Sequence, residues 1–335
     1  MRKLFVMNKR KSQNKILNIA VPFLLGGGIL WWMYRGSDFP AMQKVFLYDM
    51  NWWWMLFSLL FGVSAQLFRA LRWKQSLEPL AEHPRLRDCI HGVFISYASS
   101  LIVPRSGELT RCGILARYDG TSFAKALGTV VTERIIDALL LLLICVCVML
   151  SQLTVFTRFF DITGTDILTT LRGFTTMGYF VTGLCLIVTV AFVILSLKRF
   201  SLFSNLRRAA GNITEGIMSL RGVKNKPMLV FYSLMIWVSY FLHYRVTFYC
   251  FDFTENLGLT IALVSFIVGS ISVVVPTPNG AGPWHFAVKT ILVLYGVADS
   301  DAVTFVLIVH TVQTALIPIL AVFSLIDLGL RRTQG

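Results

Sequence analysis

Charged residues are scarce in this sequence. They make up 14% of 335 residues, whereas 56% are apolar and the mean hydropathy is +0.68. Apolar runs long enough to cross a bilayer as helix, about twenty residues each, recur along the chain. No segment between them exceeds about thirty residues, which leaves no room for a separate catalytic or DNA-binding domain. The composition therefore excludes a soluble enzyme and predicts an all-α polytopic membrane protein, in which residues 1–335 form one integral membrane domain.

Acidic residues and paired cysteines are also few. Asp and Glu number 17 against 31 Lys and Arg, and the cations are spread over short loops. This spread argues against a nucleic-acid partner and indicates membrane lipid instead. The six cysteines form no Cys-x-x-Cys pair, and no group of side chains has the spacing of a metal site. The sequence therefore predicts no metal and no other cofactor.

Six apolar runs are long enough for full transmembrane helices. Two more, about 89–125 and 259–297, are interrupted by proline and glycine. Segments on one side of the predicted spans carry twenty Lys and Arg, and segments on the other side carry four. Because an excess of positive charge marks the cytoplasmic side, both termini are expected in the cytoplasm. The predicted spans are 16–34, 52–71, 130–151, 177–197, 228–251 and 302–326.

The two interrupted segments are predicted to be re-entrant hairpins of opposite orientation. With six spans and both termini inside, 89–125 starts and ends in the cytoplasm, and 259–297 starts and ends outside. Their turns are expected at 103–107 and 276–283. Broken helices at corresponding places in two halves are typical of inverted-repeat transporters with a site near the membrane midplane. Each segment could instead be two ordinary short spans with a kink.

The first hairpin brings charged side chains into an apolar region. Arg105, Glu108 and Arg111 are three residues apart and share one helical face. Glu133 and Asp137 are four apart in the next span, where two carboxylates need a cation or a proton. We expect Arg105 or Arg111 to pack against both. The cluster could only fix the hairpin, but arginine also offers a planar fork for phosphate, the anion of membrane lipids.

The second turn contains Gly280 and Gly282 and is followed by Pro283, which suits the first position of a helix. Free backbone amides at this helix start are expected to form an anion site. His285 and Lys289 are four apart on the same helix, and Lys289 could add a charge. Alternatively, Lys289 reaches the outer surface and His285 is a hydrogen-bonded core residue.

The two hairpin sequences, PRSGELTR…TVVTERIID and VPTPNGAGPWHF, resemble the paired motifs of the lysylphosphatidylglycerol synthase transmembrane-region family, also called flippase-like membrane proteins. The resemblance covers essentially the whole chain, without the soluble synthase domain of larger members. It implies an inner-membrane domain with re-entrant elements that helps move a phospholipid across the bilayer. The second motif of the family commonly ends in glutamate where this chain has His285. The matching residues are Arg105, Gly107, Glu108, Arg111, Glu133, Arg134 and Asp137 in the first motif, and Pro278, Gly280 and Gly282 in the second.

The expected function is translocation of a phospholipid or lipid-linked anionic precursor across the cytoplasmic (inner) membrane, with the headgroup between the hairpins. The protein is not expected to be an enzyme. Two alternatives are an intramembrane enzyme acting on a phospholipid or polyprenyl phosphate, with Glu133, Asp137 or His285 as acid or base, and a non-transporting scaffold. The partner is a membrane phospholipid or a polyprenyl-phosphate-linked lipid, and the chain could form homo-oligomers. The candidate substrate-binding residues are Arg105, Gly107, Glu108, Arg111, Glu133, Arg134, Asp137, Pro278, Asn279, Gly280, Gly282, His285 and Lys289.

Overall fold

The computed structural model describes residues 20–104, 106–151, 222–275 and 277–334. Within these ranges the chain forms helices and connecting turns and no strand. Short 3-10 turns at Glu78–Leu80, Val246–Cys250 and Pro278–Gly280 extend or link the α-helices. The helices are α1 (Ala20–Tyr34), α2 (Phe39–Lys44), α3 (Trp52–Leu77), α4 (Leu86–Ile102), α5 (Gly107–Tyr118), α6 (Phe123–Ser151), α7 (Lys226–Arg245), α8 (Asp252–Glu255), α9 (Leu259–Ser272), α10 (Pro283–Leu294) and α11 (Asp299–Gln334).

Helices α4 and α5 form the first hairpin, with its turn where the sequence predicts it. Helix α4 ends at Ile102 and α5 begins at Gly107, and Pro104 lies in the break. Proline stops the helix because it has no backbone N–H and its ring clashes with the preceding turn. The N–H of Arg85 donates to Asp119 Oδ2 at 2.8 Å. The two ends of the first hairpin therefore lie together.

Helices α9 and α10 form the second hairpin around a glycine-rich turn. Asn279, Gly280 and Gly282 have φ angles of 49°, 73° and 92°, in the left-handed region that favours glycine. Space is also limiting, because a Cβ on Gly280 would lie 2.8 Å from Val273 Cγ2. A Cβ on Gly282 would lie 2.9 Å from the carbonyl oxygen of Gly26 in α1. The predicted second turn is confirmed, and it is packed too tightly for other residues at these glycines.

Each hairpin packs into a separate hydrophobic core. The first core contains Trp73 of α3, Val93 of α4 and Leu115 of α5. The second core joins α7, α9, α10 and α11 through side chains that include Tyr244 and Phe305. Helix pairs α3–α7 and α4–α11 connect the two halves, and α4 also contacts the Pro278–Gly280 turn. The turn of the first hairpin therefore lies beside the turn of the second hairpin.

Three described segments are long and apolar enough to cross a membrane: Trp52–Leu80, Lys226–Cys250 and Asp299–Leu330. They contain the predicted spans 52–71 and 302–326 in full and the predicted span 228–251 except its last residue. Ala20–Tyr34 is a shorter apolar helix, and α6 covers the predicted span 130–151 from an earlier start. The predicted span 177–197 lies outside the described residues. Six full spans and the re-entrant course of the hairpins stay predictions.

Candidate functional site

Two arginines of α3 are buried against two carboxylates of α6. Arg72 Nη1 lies 2.6 Å from Asp137 Oδ1, and Arg72 Nε lies 3.3 Å from Glu133 Oε1. Arg72 also donates to Ser233 Oγ of α7 at 3.3 Å. Arg69 Nη2 lies 3.6 Å from Asp137 Oδ2. Because charges in a low-dielectric interior need compensation, these contacts hold α3, α6 and α7 together at one level of the bundle.

Arg111 of the first hairpin completes this cluster. Its Nη1 lies 2.9 Å from Glu133 Oε2, and its Nη2 lies 2.9 Å from Glu108 Oε2. Its guanidinium carbon also lies 4.7 Å from the centre of a Trp73 ring, within cation–π range. The predicted contact between Arg111 and Glu133 is confirmed. Asp137 instead pairs with arginines of α3 and α6, so the expectation that Arg111 would also reach Asp137 is wrong.

Arg134 and Glu108 are the more exposed members of the cluster, with side chains that are 40% and 36% exposed. Arg134 Nη2 lies 3.1 Å from Asp137 Oδ2, and its Nε lies 3.5 Å from Glu108 Oε1. The described cluster therefore has four arginines and three carboxylates, which leaves an excess of positive charge. Arg105, the other arginine predicted here, lies outside the described residues. An excess of buried cations is expensive in a membrane interior unless an anion accompanies them.

A cavity of about 250 Å³ lies between the two hairpins beside this cluster. It is not enclosed. Six of the predicted site residues line it, three as charged side chains. The first hairpin and α6 contribute Gly107, Glu108, Arg111 and Arg134, and the second turn contributes Asn279 and Gly280; the other lining residues are Arg69, Ser96, Tyr97, Ser100, Leu101, Pro104, Val273, Val275 and Thr277.

Several donors at the cavity wall keep unused hydrogen-bonding capacity. Within the described ranges, Nε of Arg69 and Nε of Arg111 make neither a hydrogen bond nor an ion pair. The buried hydroxyl of Thr277 has no partner there either. Nη1 and Nη2 of Arg111, and Nε and Nη2 of Arg134, instead lie within ion-pair distance of carboxylates. Buried polar groups are usually satisfied, so an anionic oxygen-rich ligand could use the three donors that have no partner.

The second turn differs from its prediction. The amides of Gly280, Ala281 and Gly282 donate to Thr277 O, Pro278 O and His285 Nδ1, at 3.2, 2.9 and 3.3 Å. These three amides are used within the turn and are not free for an anion; the predicted anion site at the start of α10 stays a prediction. The turn reaches the cavity through Asn279 and Gly280 instead. The carbonyl of Pro278 serves the turn itself, and Gly282 faces α1.

His285 and Lys289 are not among the residues that line the cavity. His285 is buried, with its ring centre 4.4 Å from that of His310. His310 Nε2 donates to the carbonyl oxygen of Asn279 at 3.1 Å. Lys289 Nζ lies 2.6 Å from Asp299 Oδ1 at the start of α11. The geometry favours the alternative in which His285 is a hydrogen-bonded core residue. Lys289 pairs with Asp299, and its predicted reach to the outer surface stays a prediction.

Sequence reasoning missed Arg69 and Arg72, which it counted among the twenty loop cations. The structure places both in α3, where they are 8% and 0% exposed. Their spacing of three residues within an apolar run was the available signal, because it puts both on one helical face. It also missed Tyr97, whose hydroxyl lies 2.6 Å from that of Tyr240. Excluding the two arginines leaves eighteen cations against four, so the inferred orientation does not change.

In the part of the chain that the structure describes, no three His, Cys, Asp or Glu side chains are placed to hold a metal ion. Cys89, Cys112 and Cys250 are buried thiols. The groups that line the cavity are arginine, carboxylate, hydroxyl, amide and apolar groups.

An all-helical bundle with long apolar helices and an arginine-rich cavity between two hairpins is an integral membrane protein built around a polar site. The chain belongs to the family described as the Lysylphosphatidylglycerol synthase TM region, whose family model matches residues 19–321. Neither the curated proteins nor the solved structures gave a match to this chain. Membership in this family places the protein in membrane lipid metabolism or transport.

Proposed function

We propose that this protein translocates an anionic phospholipid, or a lipid-linked anionic precursor, across the cytoplasmic (inner) membrane without chemical conversion. The observation that carries the proposal is the cavity between the two hairpins, with Arg69, Arg111 and Arg134 in its wall. The lipid headgroup occupies this cavity while its hydrocarbon chains stay in the bilayer. The family assignment supports a lipid cargo.

The charge of the site supports an anionic headgroup. Three arginines and one carboxylate, Glu108, line the cavity, and further carboxylates lie behind the wall. Arginine binds phosphate oxygens through two parallel hydrogen bonds. The partly exposed guanidinium of Arg134 can turn toward such oxygens, and Arg111, which stays paired with Glu108 and Glu133, adds positive charge to the wall. A phosphate would then offset the excess positive charge of the cluster.

The size of the cavity supports a small headgroup. Sites for drug-sized ligands have volumes of about 300–1,000 Å³, and this cavity has about 250 Å³. A single phosphate with a small polyol fits this space better than a sugar-bearing pyrophosphate. Ser100 and Asn279 offer polar groups at the wall for the hydroxyls of such a headgroup.

The opposed hairpins suggest how the cargo is moved. In the proposed topology the first hairpin enters the bilayer from the cytoplasm and the second from outside, so the cavity lies near the midplane. Movement of one half against the other about this fixed site would open it to each side in turn. The contacts α3–α7 and α4–α11, which join the halves, are the surfaces that must slide or rock.

The test is headgroup translocation in proteoliposomes that contain fluorescent phosphatidylglycerol. Arg134→Gln removes one charged wall residue that is partly exposed, so the fold should be retained. We expect about tenfold slower translocation or more, from the loss of one charge-assisted hydrogen bond. Arg134→Lys should recover part of the rate, since it restores charge without the fork.

Arg245→Gln is the matched control. Arg245 stacks on Tyr249 with its guanidinium carbon 4.5 Å from the ring centre, and it does not line the cavity. This variant should translocate lipid at the wild-type rate. Equal rates for Arg134→Gln and wild type would contradict the assigned site. Absence of translocation by folded wild-type protein with phospholipid or polyprenyl phosphate would contradict the proposed function.

A further inference from the structure

We infer that the cavity has an acyl-chain exit between the tips of the two hairpins. The exit is formed by an apolar lip, which we define as Leu101 and Ile102 on the first hairpin and Val273, Val274 and Val275 on the second. One acyl chain of the phospholipid rests on this lip while the headgroup is in the cavity. This inference rests on the proposed function and adds a binding subsite to it.

The lip is continuous with the charged site. Leu101, Val273 and Val275 line the cavity together with Arg111 and Arg134. The wall thus changes from guanidinium groups to apolar side chains within one cavity of about 250 Å³. A ligand that fills it must itself change from anionic to apolar over a short distance. A phospholipid has this arrangement where its phosphate meets its acyl chains.

The outer side of the lip is exposed and apolar. Ile102 and Val274 are 70% and 65% exposed, and each is next in the chain to a residue of the cavity wall. Val273 and Val275 are also exposed in part. The exposed surface of the lip thus consists of aliphatic side chains, which favour contact with hydrocarbon over contact with water.

The chemistry of the wall favours a glycerophospholipid over a polyprenyl phosphate as occupant. A bare phosphate would need only the arginines. The wall also presents Ser100, Thr277 and Asn279, which match a headgroup that carries hydroxyls. In addition, the lip has apolar residues on both hairpins, so the one acyl chain that rests on it is contacted from two sides.

The experiment places a photoreactive benzoylphenylalanine at Ile102 or at Val274 in the full chain. Each variant is reconstituted in phosphatidylcholine vesicles with a minor fraction of phosphatidylglycerol and irradiated, and mass spectrometry identifies the cross-linked lipid. The matched control is the same residue at Leu142 of α6, which is 61% exposed and does not line the cavity. We expect several-fold enrichment of phosphatidylglycerol adducts at Ile102 and Val274, and bulk composition at Leu142.

Combination with Arg134→Gln tests the connection to the cavity. The enrichment at Val274 should then fall to the value at Leu142, because the headgroup no longer holds the lipid there. Enrichment that persists in this variant, or that never exceeds the control, would overturn the inferred exit. Adducts of polyprenyl phosphate in place of those of phosphatidylglycerol, when both lipids are present in equal amounts before irradiation, would overturn the assigned occupant.

A second measurement needs no substitution. Wild-type protein is irradiated with phosphatidylglycerol that carries a diazirine in one acyl chain, and the labelled peptides are mapped. Labels should concentrate at 101–102 and 273–275. Translocation that depends on Arg134, with labels spread evenly over lipid-facing helices, would reject the exit and leave the proposed function standing. Absence of translocation by folded wild-type protein would reject the proposed function itself.

Discussion

Arg72 of α3 donates to Asp137 of α6 at 2.6 Å, and the arginine is fully buried. The same carboxylate lies near Arg69 and Arg134, so one Asp137 side chain faces three guanidinium groups. Asp137 thereby connects Arg72 to Arg69 and Arg134, which line the cavity. The charges that are proposed to hold the headgroup therefore also hold the helices.

Asp137→Asn should lower stability strongly. It removes the carboxylate that three arginines share, and loss of one partner of a buried pair typically costs about 3–5 kcal/mol. We expect a lower midpoint of thermal unfolding in detergent and a lower yield of monodisperse protein. The measurement is scanning fluorimetry on the native tryptophans.

Asp49→Asn is the control for this change. Asp49 pairs with Lys44 at 3.9 Å, and both side chains are well exposed. Exposed ion pairs contribute little, about 0–1 kcal/mol, so the midpoint should hardly move. An equal shift for Asp49→Asn and Asp137→Asn would show that the cluster does not stabilise the bundle.

The hairpins could be predicted from the sequence, whereas half of the arginines in the cluster could not. Pro104 and the glycines at 280 and 282 interrupt apolar runs, and such interruptions are local signals. Arg69 and Arg72 follow an apolar run and look like the start of a cytoplasmic loop. Only the three-dimensional packing of α3 against α6 reveals that they are buried.

The hydrogen bonds of the second turn could not be predicted from the sequence. The sequence places glycines before a helix start, but it does not show where the amides donate. In the structure His285 Nδ1 accepts from Gly282, and carbonyls of the turn accept from the other two amides. These amides therefore close the turn, and the predicted anion site at the start of α10 stays a prediction.

Arg111→Lys should slow translocation more than it lowers stability. Lysine keeps the positive charge but cannot contact Glu108 and Glu133 with two separate nitrogens, nor stack its plane on Trp73. We expect a clear fall in the rate of phosphatidylglycerol translocation, with a smaller shift of the unfolding midpoint than for Asp137→Asn. Paired transport and fluorimetry measurements on the same preparations check this.

A wild-type rate for Arg111→Lys would mean that charge alone is needed at this position. Arg111→Gln then separates the two effects, since it removes the charge as well. If that variant is folded and still translocates lipid normally, Arg111 has a structural role only.

Gly26→Ala should loosen the contact between α1 and the second turn. Its Cβ would lie 2.9 Å from the carbonyl oxygen of Ala281, so the helix or the turn must move. Gly27→Ala is the matched control on the same helix, because nothing lies within 4 Å of its Cβ. We expect a lower unfolding midpoint for Gly26→Ala and an unchanged or slightly higher one for Gly27→Ala, given the better helix propensity of alanine. Equal midpoints would contradict the close packing of α1 on this turn.

Labelling of single cysteines from each side of the membrane tests the opposed orientation of the hairpins. After replacement of the native cysteines, Arg85→Cys and Arg117→Cys mark the two ends of the first hairpin, and Thr260→Cys and Ala298→Cys mark the second. All four positions are exposed. An impermeant maleimide should reach the first pair only from the cytoplasm and the second pair only from outside. If the two ends of either hairpin are labelled from opposite sides, that segment crosses the membrane an odd number of times. It is then not a re-entrant hairpin, and the cavity between the tips cannot be the midplane site of an inverted repeat.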